Sequence, residues 1–240
     1  MILAAGLGTR LKPWTLTHPK ALVPVGGIPM LERVIRQLIT QGFDRIIINI
    51  HHFADQIIEF LHQKNFDAII HVSDERSQLL DTGGGIVNAR KYLCDDNEPF
   101  LVHNVDILST ANLQELLSAH RESHADATLL VSHRDSSRKL IIGGDNLLRG
   151  WIDTASGRTR PDTFTSKAND RFLSFSGIHV ISPHTVELML SYFGCKPFPI
   201  MDFYLDYYSD LRLLCHEQSF DHIDIGKPDT LEKANRIFKL

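Results

Sequence analysis

Short apolar segments alternate with helical patterns along the first half of the chain, and this alternation restricts the possible folds strongly. Strands that are separated by helices form βαβ units around a parallel sheet, with right-handed crossovers. We therefore predict an α/β fold, a Rossmann-like three-layer sandwich with a mostly parallel central sheet. The predicted strands are residues 1–4, 46–50, 68–72, 100–103 and 127–132.

The helix that begins at Pro29 shows the helical pattern most clearly, because its apolar residues recur with i, i+3, i+4 and i+7 spacing and Gly42 follows as a stop. Further helices are predicted at residues 54–63, 86–93 and 113–120. Ligands of such sheets bind at the carboxyl ends of the strands. The residues that follow the strands are therefore the candidates for a site.

The second half of the chain has a different pattern of predicted elements. Residues 139–151 predict a hairpin around the turn at 143–146, and the polar residues 153–170 predict a loop. A strand at 171–181, helices at 183–192 and 200–208, a strand at 211–216 and a closing helix at 230–239 follow. We predict one domain, residues 1–240, with a nucleotide-binding half (1–110), a sugar-binding half (111–240) and a small β insertion over the sugar site.

Composition restricts the partners and the compartment. The net charge of −4 gives no indication of nucleic acid as a partner. No apolar run reaches the roughly 18 residues of a membrane span. Three scattered cysteines favour a reducing, cytoplasmic location over a disulfide framework. A homo-oligomer remains open, as does the question of whether Met1 is the natural start.

A glycine turn follows the first strand and points to a phosphate ligand. Gly6 and Gly8 let the backbone approach a phosphate closely, and Arg10 can donate two hydrogen bonds to its oxygens. Leu11 occupies the third glycine position of the dinucleotide fingerprint, which argues against an NAD-dependent oxidoreductase. A tight strand-to-helix turn without a ligand is the alternative for these glycines.

Lys20 lies between Pro19 and Pro24 in a segment that the prolines keep out of a helix. A lysine held in this way would add a second cation near the glycine turn. Taken alone, a lysine such as Lys20 is more often a surface charge than a ligand-binding residue.

Together, the glycine turn and the proline-flanked lysine resemble the signature of the sugar-1-phosphate nucleotidyltransferases. The resemblance implies that a sugar 1-phosphate attacks the α-phosphorus of a nucleoside triphosphate and that pyrophosphate leaves. It implies that Arg10 and Lys20 are catalytic. It implies nucleotide binding by Leu3, Ala5, Gly6, Gly8, Thr9, Arg10, Thr82, Gly83 and Gly84.

The glycine-rich segment 82–85 is expected to open the helix at 86–93, where small residues let a base lie against the backbone. A plain turn with Thr82 as the helix cap is the alternative.

The resemblance also implies a magnesium site. Asp106 follows a predicted strand, and Asp224 precedes a glycine turn; the two carboxylates are the expected Mg²⁺ ligands. The family commonly has a glycine before the first aspartate, and Val105 stands there instead, so we expect a local difference in the backbone.

The sugar side carries a weaker signal. The resemblance implies sugar contacts from Asn104, Ser176 and Gly177, but the Glu-Lys-Pro segment of several branches is missing, and Lys167 or Arg171 could supply its charge. This absence is similar to the branch that uses UTP and N-acetylmuramic acid 1-phosphate. We therefore expect UTP with an amino-sugar or muramic acid 1-phosphate. The alternatives are GTP with mannose 1-phosphate, or a non-catalytic regulatory protein that binds nucleotide sugars.

Overall fold

The structure is a computed structural model, and it describes residues 1–238. The strands are β1 (Ile2–Leu3), β2 (Pro24–Val25), β3 (Ile28–Pro29), β4 (Arg45–Ile50), β5 (Ile69–Asp74), β6 (Phe100–Asn104), β7 (Ile107–Ser109), β8 (Ala127–Ser132), β9 (Arg138–Ile142), β10 (Leu148–Asp153), β11 (Arg158–Arg160), β12 (Arg171–Ile181), β13 (Leu213–Glu217) and β14 (His222–Asp224). The α-helices are α1 (Met30–Thr40), α2 (Ala54–His62), α3 (Asp81–Asn88), α4 (Arg90–Leu93), α5 (Leu113–Ser123), α6 (Pro183–Phe193), α7 (Ile200–Asp206) and α8 (Pro228–Ile237). Short 3₁₀ helices also occur at Thr9–Leu11, Trp14–Leu16 and Lys20–Leu22, so the segment of Lys20, predicted to be non-helical, contains one 3₁₀ turn.

The central sheet has the strand order β11-β10-β9-β12-β6-β1-β4-β5, and β8 and β13 add to it beside β12. The strands β6, β1, β4 and β5 are parallel, as predicted for the nucleotide-binding half. The long strand β12 is antiparallel to β6, β8 and β9. A strand from the second half of the chain therefore joins the two halves in one sheet, and the α/β prediction is confirmed.

The sheet separates two apolar cores, one on each face. Ile2 and Ile48 belong to the core beneath α1, α2 and α5, whereas Leu3 and Ile47 belong to the core beneath α3, α6 and α7. Neighbouring residues of a strand point to opposite faces, so the apolar runs fill both cores. This arrangement is the predicted three-layer sandwich.

Two local predictions were wrong. The segment 82–85 does not precede a helix but lies inside α3, and a separate short helix, α4, follows it. The predicted loop at 153–170 contains β11, which pairs with β10 and extends the predicted hairpin. Both errors have one cause, since tertiary contacts outweigh the local tendency of glycine and polar residues to form loops.

The remaining predicted elements lie within a few residues of their predicted positions. The closing helix ends at Ile237, and the predicted end at 239 lies outside the described residues. Across residues 1–238, no helix has both the length and the apolar character that crossing a membrane requires.

Candidate active site

The glycine turn is fixed on one side and open on the other. The carbonyl of Gly8, a residue with φ +62°, accepts a hydrogen bond from the Thr15 hydroxyl at 2.9 Å. In contrast, Gly6, Thr9 and Arg10 are exposed, and a Cβ on Gly6 would meet no atom within 4 Å. The turn is therefore held in place with its outer face available to a ligand.

Lys20 packs against this turn. A Cβ added to Gly8 would lie 2.8 Å from the Lys20 Cβ, so only glycine permits this approach. The Lys20 ammonium donates to the Asp106 carboxylate, and the two side chains are only 13% and 16% exposed. The structure thus brings together the glycine turn, the proline-flanked lysine and the first predicted metal ligand.

Asp224 reaches the same place from the other end of the chain. The strands β7 and β14 are antiparallel, with Asp224 opposite Ile107, and the Ile225 N–H donates to the Asp106 carbonyl at 2.9 Å. A Cβ on Gly226 would lie 2.8 Å from both the Arg10 guanidinium and the Asp224 carboxylate. The four charged residues predicted for catalysis and metal binding therefore lie close together beside the glycine turn.

The donor set fits magnesium. Among residues 1–238, no cluster of three or more His, Cys, Asp and Glu side chains forms a complete metal cage. Mg²⁺ typically uses one or two carboxylates together with phosphate oxygens and water. Asp106 and Asp224 provide such a pair beside an expected phosphate site, so the residues present suit this ion.

Val105 keeps its place between Asn104 and Asp106 without strain. Its side chain is 4% exposed in the apolar core, and its N–H donates to the Leu3 carbonyl at 3.1 Å. Leu3 and Ala5 are also buried, so any contact they make with a nucleotide involves their main chain.

A buried polar network supports the turn from beneath, and the sequence analysis missed it. The Asn49 side chain accepts from the Ala4 N–H at 2.7 Å and donates to the Glu75 carboxylate at 2.9 Å. Glu75 is 1% exposed, and burial raises the pKa of its carboxyl group, while the hydrogen bond from Asn49 opposes this shift. A Cβ on Gly85 would lie 2.8 Å from both side chains. Asn49 is the next-to-last residue of a predicted strand, but nothing in the sequence indicates its partner.

The glycines of α3 are covered by the protein itself. The N–H of Gly83 donates to the Phe198 carbonyl at 2.9 Å, and a Cβ on Gly83 would lie 2.1 Å from the Phe198 ring. Gly84 packs against the carbonyl of Lys196, and the Thr82 hydroxyl accepts from the Ile200 N–H at 2.8 Å. These contacts explain the small residues without a ligand, and base contacts from Thr82, Gly83 and Gly84 stay a prediction.

On the sugar side, Asn104 and Gly177 are neighbours. Gly177 has φ +76°, and a Cβ there would lie 2.8 Å from the Asn104 amide. The Ser176 hydroxyl donates instead to the Leu130 carbonyl at 2.9 Å within the sheet. Ser176 could therefore contact a sugar only through its main chain.

The structure gives no support to Arg171 as the missing sugar-phosphate cation. Its guanidinium donates to the carboxylate of Glu217 at 2.5 Å and also to the Asn146 side chain. Lys167 is exposed in a turn, where its N–H donates to the Asp170 carboxylate at 2.7 Å.

Arg134 and His222, which the sequence analysis did not select, lie beside Asp224. The Arg134 guanidinium donates to the Phe175 carbonyl at 3.0 Å, and its other terminal nitrogen lies 3.0 Å from His222 Nδ1. The His222 ring also contacts the Ser176 carbonyl at 3.1 Å. A lone arginine in a polar stretch carries no sequence signal that could have identified it.

Comparison with known proteins identifies the family. Residues 1–140 match the nucleotidyl transferase family. The N-acetylmuramate alpha-1-phosphate uridylyltransferase of Caulobacter vibrioides is 31% identical over 190 residues, which are 76% of this chain and 74% of that protein. The chain belongs to the nucleotidyl transferase family. A second member, the mannose-1-phosphate guanyltransferase of Yarrowia lipolytica, is 30% identical over 194 residues, 79% of this chain but only 50% of its own length.

Solved structures share the fold over nearly the whole chain. HddC from Yersinia pseudotuberculosis, in complex with GMP-PN, superposes with a TM-score of 0.78 at 27% identity, covering 99% of this chain and 98% of HddC. A UDP-glucose pyrophosphorylase in complex with UDP-glucose has a TM-score of 0.76 at 17% identity, covering 99% of this chain and 96% of its own, and supports the fold alone.

Proposed function

We propose that this family member transfers a nucleotidyl group from a nucleoside triphosphate to a sugar 1-phosphate and releases pyrophosphate. The observation that carries the proposal is the convergence of Arg10, Lys20, Asp106 and Asp224 around the open glycine turn. Two cations and two carboxylates at one phosphate-binding turn suit a polyphosphate with a bound metal.

The chemistry needs positioning and charge more than proton transfer. A sugar phosphate is already an anion near neutral pH, so its oxygen can attack the α-phosphorus without a general base. Arg10 and Lys20 would orient the triphosphate and balance the charge that grows on the departing pyrophosphate. Asp106 and Asp224 would hold Mg²⁺, which supplies further positive charge to the reacting phosphates.

The proposal for the substrates is UTP with an amino-sugar or N-acetylmuramic acid 1-phosphate. It rests on the similarity to the uridylyltransferase of Caulobacter vibrioides, of which 74% of the length aligns with this chain. GTP with mannose 1-phosphate is the alternative, because the guanyltransferases are almost as similar and HddC binds a guanine nucleotide analogue. The proposal includes a cytoplasmic location, which the three free cysteines support.

A matrix of reactions tests the proposal. UTP, GTP, dTTP and ATP would each be combined with several sugar 1-phosphates and Mg²⁺, and pyrophosphate release would be measured. We expect turnover with UTP and an amino-sugar 1-phosphate, and its loss when EDTA removes the metal. Nucleotide binding without pyrophosphate release from any pair would favour the regulatory role instead.

A further inference from the structure

Arg134 brings a positive charge to the segment that carries the predicted sugar contacts. It follows β8, and its guanidinium reaches the carbonyl of Phe175, two residues before Gly177 in the predicted sugar-binding segment. The Asp224 carboxylate is close enough to raise the pKa of Arg134, although burial lowers it more. Arg134 therefore lies between the predicted metal ligand Asp224 and the part of β12 that carries the predicted sugar contacts Ser176 and Gly177.

The contacts of Arg134 hold the guanidinium without neutralising it. The Phe175 carbonyl and the imidazole of His222 accept its hydrogen bonds, at 3.0 Å each. One terminal nitrogen of Arg134 lies 3.0 Å from Nδ1 and 3.2 Å from Nε2 of His222. We assign the ring proton to Nε2, because the Ser176 carbonyl beside it can only accept, and Nδ1 is then the acceptor for the guanidinium. Both acceptors are uncharged groups, so they fix the orientation of the arginine and leave its charge available.

No carboxylate within residues 1–238 lies within 4.0 Å of the Arg134 guanidinium. Its Nε–H is buried and has no hydrogen-bond partner in the same part of the chain. A half-buried charge without an anion is costly. Arg160 shows the usual arrangement, because it pairs with Asp202 and Asp206 at 2.6 Å and 2.7 Å.

The loop that carries Arg134 is held in place by a second cation. The Lys139 ammonium donates to the Arg134 carbonyl, and also to the Ser174 hydroxyl at 3.0 Å. Lys139 has no carboxylate within 4.0 Å among residues 1–238. Two neighbouring cations, on β9 and after β8, thus lie beside the segment that carries the predicted sugar contacts.

We propose that Arg134 binds an anionic group of the sugar 1-phosphate, either its phosphate or a carboxylate carried by the sugar. This inference rests on the proposed function and names a residue for the charge that the missing Glu-Lys-Pro segment leaves unassigned. Arginine suits both groups, because its planar donors match the two oxygens of a carboxylate or a phosphate.

Steady-state kinetics with Arg134→Gln test the proposal. N-acetylmuramic acid 1-phosphate and N-acetylglucosamine 1-phosphate differ by a lactyl group that carries a carboxylate. Losing hydrogen bonds to a charged group typically weakens binding about 10- to 150-fold. We expect the KM for the sugar substrate to rise by about this factor, with the KM for the nucleoside triphosphate nearly unchanged.

The two substrates distinguish the anions. A rise in KM for both would assign Arg134 to the phosphate, and a rise for the muramic acid substrate alone would assign it to the carboxylate. An unchanged KM for both would overturn the proposal. Arg134→Lys should raise the KM for the sugar substrate less than Arg134→Gln does, because lysine keeps the charge but not the planar donors.

Arg33→Gln is a matched control, since Arg33 is also half-buried and donates to a backbone carbonyl, that of Val25, at 2.6 Å. It should change stability without changing the sugar KM. If both Arg134 variants are unfolded in circular dichroism while Arg33→Gln is folded, the role is structural and the proposal fails.

A binding measurement separates this proposal from the proposed function. Calorimetric titration of each sugar 1-phosphate into the wild type and Arg134→Gln does not depend on turnover. Weaker binding by the variant supports the role of Arg134 even if no pyrophosphate is released. Equal binding by both proteins contradicts that role even if the wild type is an active transferase.

Discussion

The ammonium group of Lys20 donates to the carboxylate of Asp106, although 86 residues separate them in the chain. Lys20 also packs against Gly8, so the ion pair lies at the base of the glycine turn. Preorganised charges of this kind stabilise a reacting phosphate without the cost of reorienting at the moment of reaction. The first predictions concern these residues.

Removing either partner of the ion pair between Lys20 and Asp106 should strongly reduce turnover. Losing one preorganised charge typically costs about 10²- to 10³-fold in kcat, so we expect at least this loss for Lys20→Ala and Asp106→Ala, measured by pyrophosphate release. Lys64→Ala is the control, because Lys64 forms an ion pair with Glu32 at 3.0 Å elsewhere. Near-normal turnover in a folded variant would remove that residue from the mechanism.

Gly8→Ala should reduce both activity and stability. A left-handed backbone costs a residue with a Cβ about 1–2 kcal/mol, and the new methyl group would also displace Lys20 and Thr15. Gly157→Ala separates the two effects, since Gly157 has φ +72° but no atom within 4 Å of an added Cβ. We expect a loss of stability in both variants under urea denaturation, but a loss of turnover in Gly8→Ala alone. Equal turnover in both would mean that the contact with Lys20 is unimportant.

Gly83→Ala should destabilise the protein, although alanine normally stabilises a helix by about 1 kcal/mol relative to glycine. The added methyl group would overlap the Phe198 ring, and overpacking in a core typically costs about 1–3 kcal/mol. The variant Gly83→Ala/Phe198→Leu should recover part of the loss, as judged by the midpoint of thermal unfolding. Unaltered stability of Gly83→Ala would show that α3 and Phe198 do not pack as described.

Stability should fall in acid because of His179. Both ring nitrogens are buried without a partner in residues 1–238, and burial lowers the pKa of this histidine from 6.5 to about 3. The unfolded chain then binds a proton that the folded chain does not, so stability is lost as the pH falls from 6.5 toward 3. In His179→Phe, the free energy of unfolding should decline less steeply between pH 6 and pH 4, by up to about 1.4 kcal/mol per pH unit. The same substitution at His133, whose side chain is 83% exposed, is the control, and an unchanged slope in His179→Phe would contradict the assignment.

Glu75 should affect stability with the opposite pH dependence, and Glu75→Gln tests this. Because burial raises the pKa of Glu75, its ionisation lowers stability as the pH rises above the usual range of a glutamate. Glutamine keeps the acceptor for Asn49 and carries no charge. The stability of the variant relative to the wild type should therefore be greater at pH 8 than at pH 5 in urea denaturation. An equal difference in stability between the variant and the wild type at pH 5 and at pH 8 would show that the carboxyl group does not titrate as inferred.

The sheet and most helices could be predicted because their signals are local. The apolar spacing of α1 lies within a few turns, and the buried positions Leu31, Val34 and Ile35 agree with it. The convergence of Lys20 and Asp106 was expected from the resemblance to the sugar-1-phosphate nucleotidyltransferases, because the motifs that contain the two residues carry that resemblance. In both cases, the information lies in short stretches of sequence.

The errors and omissions depend on contacts between distant segments. The glycines of α3 are helical because Phe198, more than 100 residues later, covers them. Arg134 meets His222 across 88 residues, and neither belongs to a recognisable motif. A single sequence does not indicate such pairs, because many arginines and histidines could form them.

The hydrogen bond from Gly83 to Phe198 also limits how the molecule can move. It joins the amino-terminal and carboxyl-terminal halves by a main-chain link, supported by the bond from Ile200 to Thr82. Swinging one half away from the other at this point would break both bonds and expose the Phe198 ring. The strands β6 and β12 also pair across the two halves within one sheet, so we expect the halves to move as a single unit.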